Sequence, residues 1–462
     1  MNESVLGHKS DVRIIVGDCR QVMAELEPGS VQMCVTSPPY YGLRDYGIEP
    51  SVWGGEDGCD HEWGDESHIR KNGNTSETYS AKQGSNSGAV LTIGQGQLCL
   101  HCTAWLGTLG LEPTPELFIE HMVEVFRGVW RVLRDDGTLW MNLGDSYAGS
   151  GKGPTGHNGI GDQEERQGFT GGGHRHGAES HDWIEDGQVK KKGMTRVGPV
   201  AGYKAKDLMM MPARVALALQ ADGWYLRSDI IWHKPNPMPE SVTDRPTTSH
   251  EHIFLMSKSQ KYYYDADAIR EAATTPFHSV GGYREGNIDN NHRPTEYRDA
   301  SRDQVGRNRR SVWTVPTQPY AEAHFATYPE DLIRPCILAG TSEAGCCAEC
   351  GAPLVREVEV EDRGFIYRTF RSVHQTATAW NTNAHGKTTL AKCIVRTTNG
   401  FKASCECNAG TTPGVVLDPF GGSGTTGKVA RHEGRRAILI ELKREYAELA
   451  MSRISKQAER LL

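Results

Sequence analysis

The run Val35-Thr36-Ser37-Pro38-Pro39-Tyr40 puts a hydroxyl, two prolines and a phenol ring in succession at the end of an apolar segment. Consecutive prolines offer no N–H of their own and hold the backbone with a carbonyl aimed outward, so Ser37 and the Pro38 carbonyl can accept the hydrogens of an amine. That suits one difficult reaction. An amine conjugated to an aromatic ring is a poor nucleophile because its lone pair is delocalised, and acceptors that favour pyramidal nitrogen restore its reactivity. Tyr40 adds a flat face on which an unstacked base can lie. Pro-Pro-Tyr in a disordered region would instead read as a polyproline ligand, but here it follows a β-branched run.

A second candidate is Leu417-Asp418-Pro419-Phe420-Gly421-Gly422-Ser423-Gly424-Thr425-Thr426, a glycine-rich turn between an apolar strand and a helix. Gly422 to Lys428 has the phosphate-loop spacing GxxxxGK, but Val429 stands where a nucleotide hydrolase needs Ser or Thr for magnesium. Small residues at a helix N-terminus still allow close backbone approach to a ligand. Glu441 ends the next strand, where a carboxylate can accept both hydroxyl hydrogens of a ribose. A nucleoside-bearing cofactor follows.

The cysteines suggest metal. Twelve of them, in a chain that opens with no basic region and apolar core, read as thiols or metal ligands and not as disulfides. Cys347-x-x-Cys350 and Cys405-x-Cys407 make two knuckles able to close a tetrahedral zinc site, with Cys346 as a competing register. Cys59-x-His61 and Cys99-x-x-Cys102 make a second set, in which His101 competes with His61. Four protein ligands leave no open position, so one or two structural zinc ions are expected, and neither is catalytic.

Alternating strand and helix signals must position these groups, and they predict an α/β protein. Val12–Val16 and Val31–Val35 read as strands, and Thr114 with Pro115 and Glu116 reads as the start of a helix. Leu117, Phe118, Met122, Val125, Phe126, Val129 and Leu133 recur at helical spacing, so one face of that helix should cover a sheet. Asp136-Gly137 is expected to end the helix, with a strand from Thr138 to Leu143. Leu208–Leu219 reads as a helix, Trp224–Trp232 and His252–Met256 as strands, and Tyr262–Tyr264 as an edge strand. A β-α-β-α unit from Val415 to Ile454 completes the pattern. The catalytic domain is thus discontinuous, over 8–52, 105–145, 207–270, 325–342 and 413–462. Between its parts lie a cysteine-bearing insertion (53–104), a Gly/His-rich flexible insertion (146–206), a polar arginine-bearing region (271–324) and a second cysteine-bearing insertion (343–412).

The formal charge of -7 excludes a surface basic all over, yet it leaves room for a basic cleft. Arg302, Arg307, Arg309 and Arg310 form one cluster, and Lys190 to Lys192 another. No apolar run reaches the roughly eighteen residues of a membrane span. A cytoplasmic protein is expected.

The two loops, in this order along the chain, resemble those of the DNA N4-cytosine/N6-adenine methyltransferase family, in the subclass where the catalytic motif precedes the cofactor motif. The resemblance implies a Rossmann-like fold: a mixed, mostly parallel sheet with helices on both faces, interrupted by insertions. It implies that S-adenosylmethionine is held by Asp418, Pro419, Phe420, Gly422, Ser423, Gly424 and Thr425, with Thr36 alongside, Glu441 on the ribose and Asp18 near the adenine. Ser37, Pro38, Pro39 and Tyr40 would be the catalytic loop, while Asp229–Pro237 and His250-Glu251-His252 would shape the pocket for a base flipped out of double-stranded DNA. In that family Ser at the first catalytic position goes with cytosine N4 and Asp with adenine N6, so Ser37 favours cytosine and adenine is the alternative. The region holding Arg302, Arg307, Arg309 and Arg310 is the candidate target reader. Transfer to cytosine C5 would need a reactive thiolate, but Cys336 lies in the helical pattern Leu332–Leu338. A homodimer and a cognate restriction endonuclease are possible partners, in a restriction-modification, solitary or phage setting. From a different class, an inactive zinc-containing DNA-binding protein would explain the cysteines but not the two intact loops.

Overall fold

The computed structural model describes residues 4–9, 11–43, 47–64, 69–70, 90–91, 96–149, 183–185, 188–190, 203–271, 307–318, 328–369 and 388–459. Its framework is a 9-stranded sheet of β1 (Ser4–Lys9), β2 (Val12–Val16), β3 (Val31–Thr36), β4 (Leu133–Leu143), β5 (Tyr225–His233), β6 (His250–Ser257), β7 (Val312–Thr314), β8 (Val415–Asp418) and β9 (Arg436–Glu441). The order across the sheet is β1-β2-β9-β8-β3-β4-β6-β5-β7. β2, β9, β8, β3 and β4 are mutually parallel, and β6 runs antiparallel between β4 and β5.

The helices α1 (Cys19–Glu25), α2 (Pro115–Val132), α3 (Met211–Ala221), α4 (Glu330–Gly340), α5 (Thr425–His432) and α6 (Arg444–Glu459) cover both faces. Strand alternation makes this possible. Cys34 of β3 enters one core with Met23, Phe118, Val125 and Val215 of the first three helices, and Val31 joins it across the register shift between Val31 and Met33. Met33 and Val35 enter the other with Leu332, Val429 and Ala450 of the last three. All six residues of β3 are buried, as befits a parallel strand covered on both sides. α2 begins as its sequence predicts: the Thr114 side chain accepts from Leu117 N at 3.2 Å, and Pro115 takes the first helical position.

Several expectations need correction. α2 ends at Val132 and β4 starts at Leu133, so Asp136-Gly137 lies within the strand, where the pairing with β3 shifts register. Tyr262–Tyr264 is not an edge strand. β6 is already paired on both sides by β4 and β5, which leaves no edge there, and Val312–Thr314 fills the true edge beside β5. Part of the presumed target-reading region therefore belongs to the sheet. Ser51–Trp53, Gly96–Leu98 and Trp105–Gly107, at the two ends of the first insertion, form a three-stranded sheet of their own. Arg302 and most of 146–206, including Gly171 to His176, lie outside the described residues.

The connection from β8 through α5 leads to β9 on one side, and that from β3 through α2 leads to β4 on the other. The chain thus diverges between β3 and β8, and a crevice opens at the carboxyl ends of such strands. The TSPPY loop follows β3 and the glycine turn follows β8, so residues far apart in sequence meet there.

Candidate active site

Asp418 joins the two loops. Its carboxylate is buried and accepts from Thr36 Oγ1 at 2.6 Å, Phe420 N at 3.1 Å, Tyr328 Oη at 2.9 Å and Thr426 Oγ1 at 2.6 Å. Burial raises its pKa, and these donors oppose the rise. With both oxygens so engaged, Asp418 sets the distance between β3 and β8 and shapes the turn. Tyr328, which no local motif singles out, is the α4-side anchor of this network.

The glycine turn is ordered by backbone conformation. Gly422 has φ +50° and Gly424 φ +79°, a region costly for other residues, and a Cβ on Gly424 would come within 2.8 Å of Ala450 Cβ in α6. Ser423 and Thr425 are buried, and their hydroxyls accept from Arg453 of α6 at 2.9 and 2.8 Å. Phe420 and Gly422 remain partly exposed. Val429 is buried in the core, so the helix has no hydroxyl at the position where a phosphate loop holds magnesium.

Glu441, at the end of β9, accepts from Gly422 N at 2.8 Å and Lys443 N at 2.9 Å, one on each oxygen. Burial raises its pKa while these two N–H groups lower it. A carboxylate oxygen has two acceptor sites, so a second hydrogen bond at each remains chemically feasible. Asp18 caps α1 through Arg20 N at 2.9 Å and is forked by the Arg20 guanidinium at 3.1 and 2.6 Å. It orders the turn after β2, beside Glu441, whose carbonyl accepts from Gly17 N at 3.0 Å.

On the other side of the crevice, Ser37 is half-buried and Pro38 buried. The Tyr40 hydroxyl donates to Glu251 Oε2 at 2.7 Å and lies 3.1 Å from Asn142 Oδ1, while Ser37 Oγ approaches it at 3.4 Å. Lys234 pairs with the other oxygen of Glu251. A Cβ at Gly144 would fall 2.6 Å from the Tyr40 ring, so glycine there makes room for it. Glu251 and Lys234 fall in segments flagged in the sequence. Asn142 does not, although a polar residue ending an otherwise apolar buried strand was the available signal.

Both cysteine sets converge. The ligand atoms of Cys59, His61, Cys99 and Cys102 lie within 4.8 Å of one another, and so do those of Cys347, Cys350, Cys405 and Cys407. Tetrahedral thiolates about 2.3 Å from a zinc ion would stand roughly 3.8 Å apart; Cys59 Sγ and Cys99 Sγ are 3.9 Å apart. Backbone N–H groups of His101 and Ala104 approach Cys99 and Cys102 at 3.4 Å, and those of Cys350 and Glu349 hold the Cys347 thiol down to about 6. The donor sets fit zinc. Of the competing residues, Cys346 Sγ turns to Thr412 O at 3.3 Å, and His101 pairs with Glu62 at 3.0 Å. Cys336 is fully buried and its thiol is pushed up by burial, which is no setting for a nucleophile.

The arginine cluster is partly engaged. Glu271 pairs with Arg307 at 2.7 Å and Arg310 at 3.1 Å, and Arg309 lies over the Trp313 ring at 4.5 Å. The backbone N–H of Arg310 and the two cations hold the Glu271 carboxyl down to about 2.

A Rossmann-like sheet with the TSPPY loop and a glycine turn facing across its switch point is the architecture of the methyltransferase class. The family model described as DNA methylase (N6_N4_Mtase) matches residues 31–348 and 403–452, and the chain belongs to this N6/N4 DNA methylase family. It is a DNA methyltransferase. The chain is 32% identical over 440 residues to the Type II methyltransferase M.Cfr9I of Citrobacter freundii, spanning 95% of this chain and 86% of the relative. It is 33% identical over 442 residues to M.XycI of Xanthomonas campestris pv. cyanopsidis, spanning 96% and 87%. Among solved structures, the PvuII DNA methyltransferase (cytosine-N4-specific) aligns over 99% of this chain and 96% of its own, with 12% identity and a TM-score of 0.45.

Proposed function

We propose that this protein transfers a methyl group from S-adenosylmethionine to the N4 amine of a cytosine flipped out of double-stranded DNA. The reading is carried by one observation: Ser37 to Tyr40 and the turn Asp418 to Thr425 flank a single crevice, joined by the Thr36–Asp418 hydrogen bond. S-adenosylmethionine would supply an electrophilic methyl on a good leaving group. Phe420, Gly422 and the α5 N-terminus would bind it, with Pro419, Ser423, Gly424, Thr425 and Asp418 holding the turn in shape, Glu441 on the ribose and Asp18 ordering the adenine side.

The chain's residues do the rest. Ser37 Oγ and the Pro38 carbonyl accept the amine hydrogens and draw the lone pair out of conjugation, and Tyr40, with its hydroxyl anchored on Glu251, offers its ring face to the base. No covalent intermediate is required. Ser37, not Asp, at the first position supports cytosine over adenine.

Structural zinc at Cys59/His61/Cys99/Cys102 and at Cys347/Cys350/Cys405/Cys407 belongs to the same proposal, on the strength of the donor sets. Arg307, Arg309, Arg310 and Arg302 would contact DNA phosphates, with the first three presented from the β7 edge. A cognate endonuclease of the same specificity is the expected partner in the cell.

Replacing Ser37 tests the catalytic assignment. Ser37→Ala should lower methyl transfer by about 10²-fold or more while S-adenosylmethionine binding by calorimetry stays intact. Unchanged turnover would remove Ser37 from the mechanism.

A further inference from the structure

Two tryptophans at the base of the first insertion pack on a buried carboxylate–imidazole pair that the methyl-transfer chemistry does not use. Glu112 and His121 side chains are 0% and 4% exposed, and Glu112 Oε1 meets His121 Nδ1 at 3.0 Å. The His121 ring lies between Trp53, at 4.8 Å, and Trp105, at 5.4 Å. Both tryptophans belong to the small sheet that carries the Cys59/His61/Cys99/Cys102 cluster. Ala104, next to Trp105, accepts from Cys99 N at 2.8 Å and donates its N–H to Cys102 Sγ at 3.4 Å.

The other Glu112 oxygen faces the opposite way. It accepts from Gly110 N at 2.8 Å, and Gly110 O accepts from Gly42 N, two residues past Tyr40, also at 2.8 Å. Gly110 has φ +94°, and a Cβ there would lie 3.1 Å from Tyr40 O and 3.2 Å from Pro39 Cβ. The Ser37–Tyr40 loop therefore rests on the Gly110 turn, and Glu112 ties that turn to His121 of α2, whose ring the two tryptophans of the small sheet flank. A buried carboxylate with each oxygen committed to a different element is a rigid strut, since losing it strands a buried N–H and an imidazole.

We propose that Glu112 is a positioning residue: with His121 it couples the cysteine/histidine module to the Ser37–Tyr40 loop, so the module sets the loop's geometry. The inference rests on the reading of that loop as catalytic. Amide hydrogen exchange tests it without any need for turnover. In the full-length Glu112→Ala protein, exchange across Thr36 to Gly42 should quicken on the order of tenfold or more while the β8 and β9 amides stay protected. The kcat for DNA methylation should fall about tenfold with KM for S-adenosylmethionine within about twofold. Glu112→Gln should rescue both, because its carbonyl oxygen can accept from Gly110 N and its amide can donate to a neutral His121. If Glu112→Ala does not fold, His121→Phe keeps the stack between the tryptophans, leaves Glu112 without its partner, and should show the same local loss. Unchanged exchange in the loop, or a loss of protection spread evenly over the sheet, overturns the proposal. Wild-type protein that transferred no methyl group would instead overturn the proposed function, and the exchange result would still stand.

Discussion

At the residue scale the site depends on a few buried acceptors whose donors come from distant parts of the chain. Asp418 accepts from four donors on β3, the glycine turn, α5 and the α4 approach. Asp418→Ala should therefore cost about 3 kcal/mol or more of unfolding free energy, read by urea titration, because several buried donors lose their acceptor at once. Glu271 makes a pH prediction. Its folded pKa, about 2, is depressed below the ordinary 4.5. A depressed carboxylate contributes stability that is present above its unfolded pKa and lost as pH falls through the folded one. Thermal melts of wild type and Glu271→Gln should therefore differ at pH 7 and converge as pH falls from about 4.5 toward 2. A difference that persists at the acid end would mean that Arg307 and Arg310 do not hold this carboxylate. The residues of the proposed site were readable in the sequence because they are contiguous: Ser37 to Tyr40 and Asp418 to Thr425 each fit a local motif. Asn142 and Tyr328 were not, since a single polar residue on a strand or before a helix shows its role only once a partner far along the chain is placed against it.

At the element scale the same contrast holds. Helix α2 was legible because its cap, proline and apolar spacing are all local, and the two groups of four Cys and His side chains that the fold gathers each combine two short local spacings. The edge of the sheet was not legible. Whether Tyr262–Tyr264 or Val312–Thr314 fills it depends on which strands already flank β6, a matter of topology and not of propensity. The tight packing of α6 on the glycine turn yields a further prediction. Gly424→Ala must adopt φ +79° with a Cβ against Ala450, and should destabilise the protein by about 2–4 kcal/mol in chemical denaturation. A neutral outcome would show that the turn can shift away from α6.

At the scale of the whole molecule the two cysteine clusters sit at opposite ends of the sheet's strands. The first adjoins the Ser37–Tyr40 loop through Gly110. The second rests on the amino-terminal ends of β3 and β4, where Gln32 donates to Gly351 O at 3.3 Å and Arg134 to Cys350 O. From it projects the long hairpin Leu354–Thr369 with Thr388–Ala403, tied back by the Arg356–Asp265 and Arg396–Asp267 pairs. Elemental analysis should find two zinc ions per chain, with Cys350→Ser and Cys59→Ser each losing one. Retention of both ions by either variant would contradict its ligand set. Among the described residues no helix is long and apolar enough to cross a membrane. Taken together, the crevice, its two loops and its supports make one claim above the others. Duplex DNA incubated with the purified protein and S-adenosylmethionine, then digested to nucleosides for mass spectrometry, should contain N4-methylcytosine; unmodified DNA, or a methyl group found only on adenine N6 or cytosine C5, would contradict it.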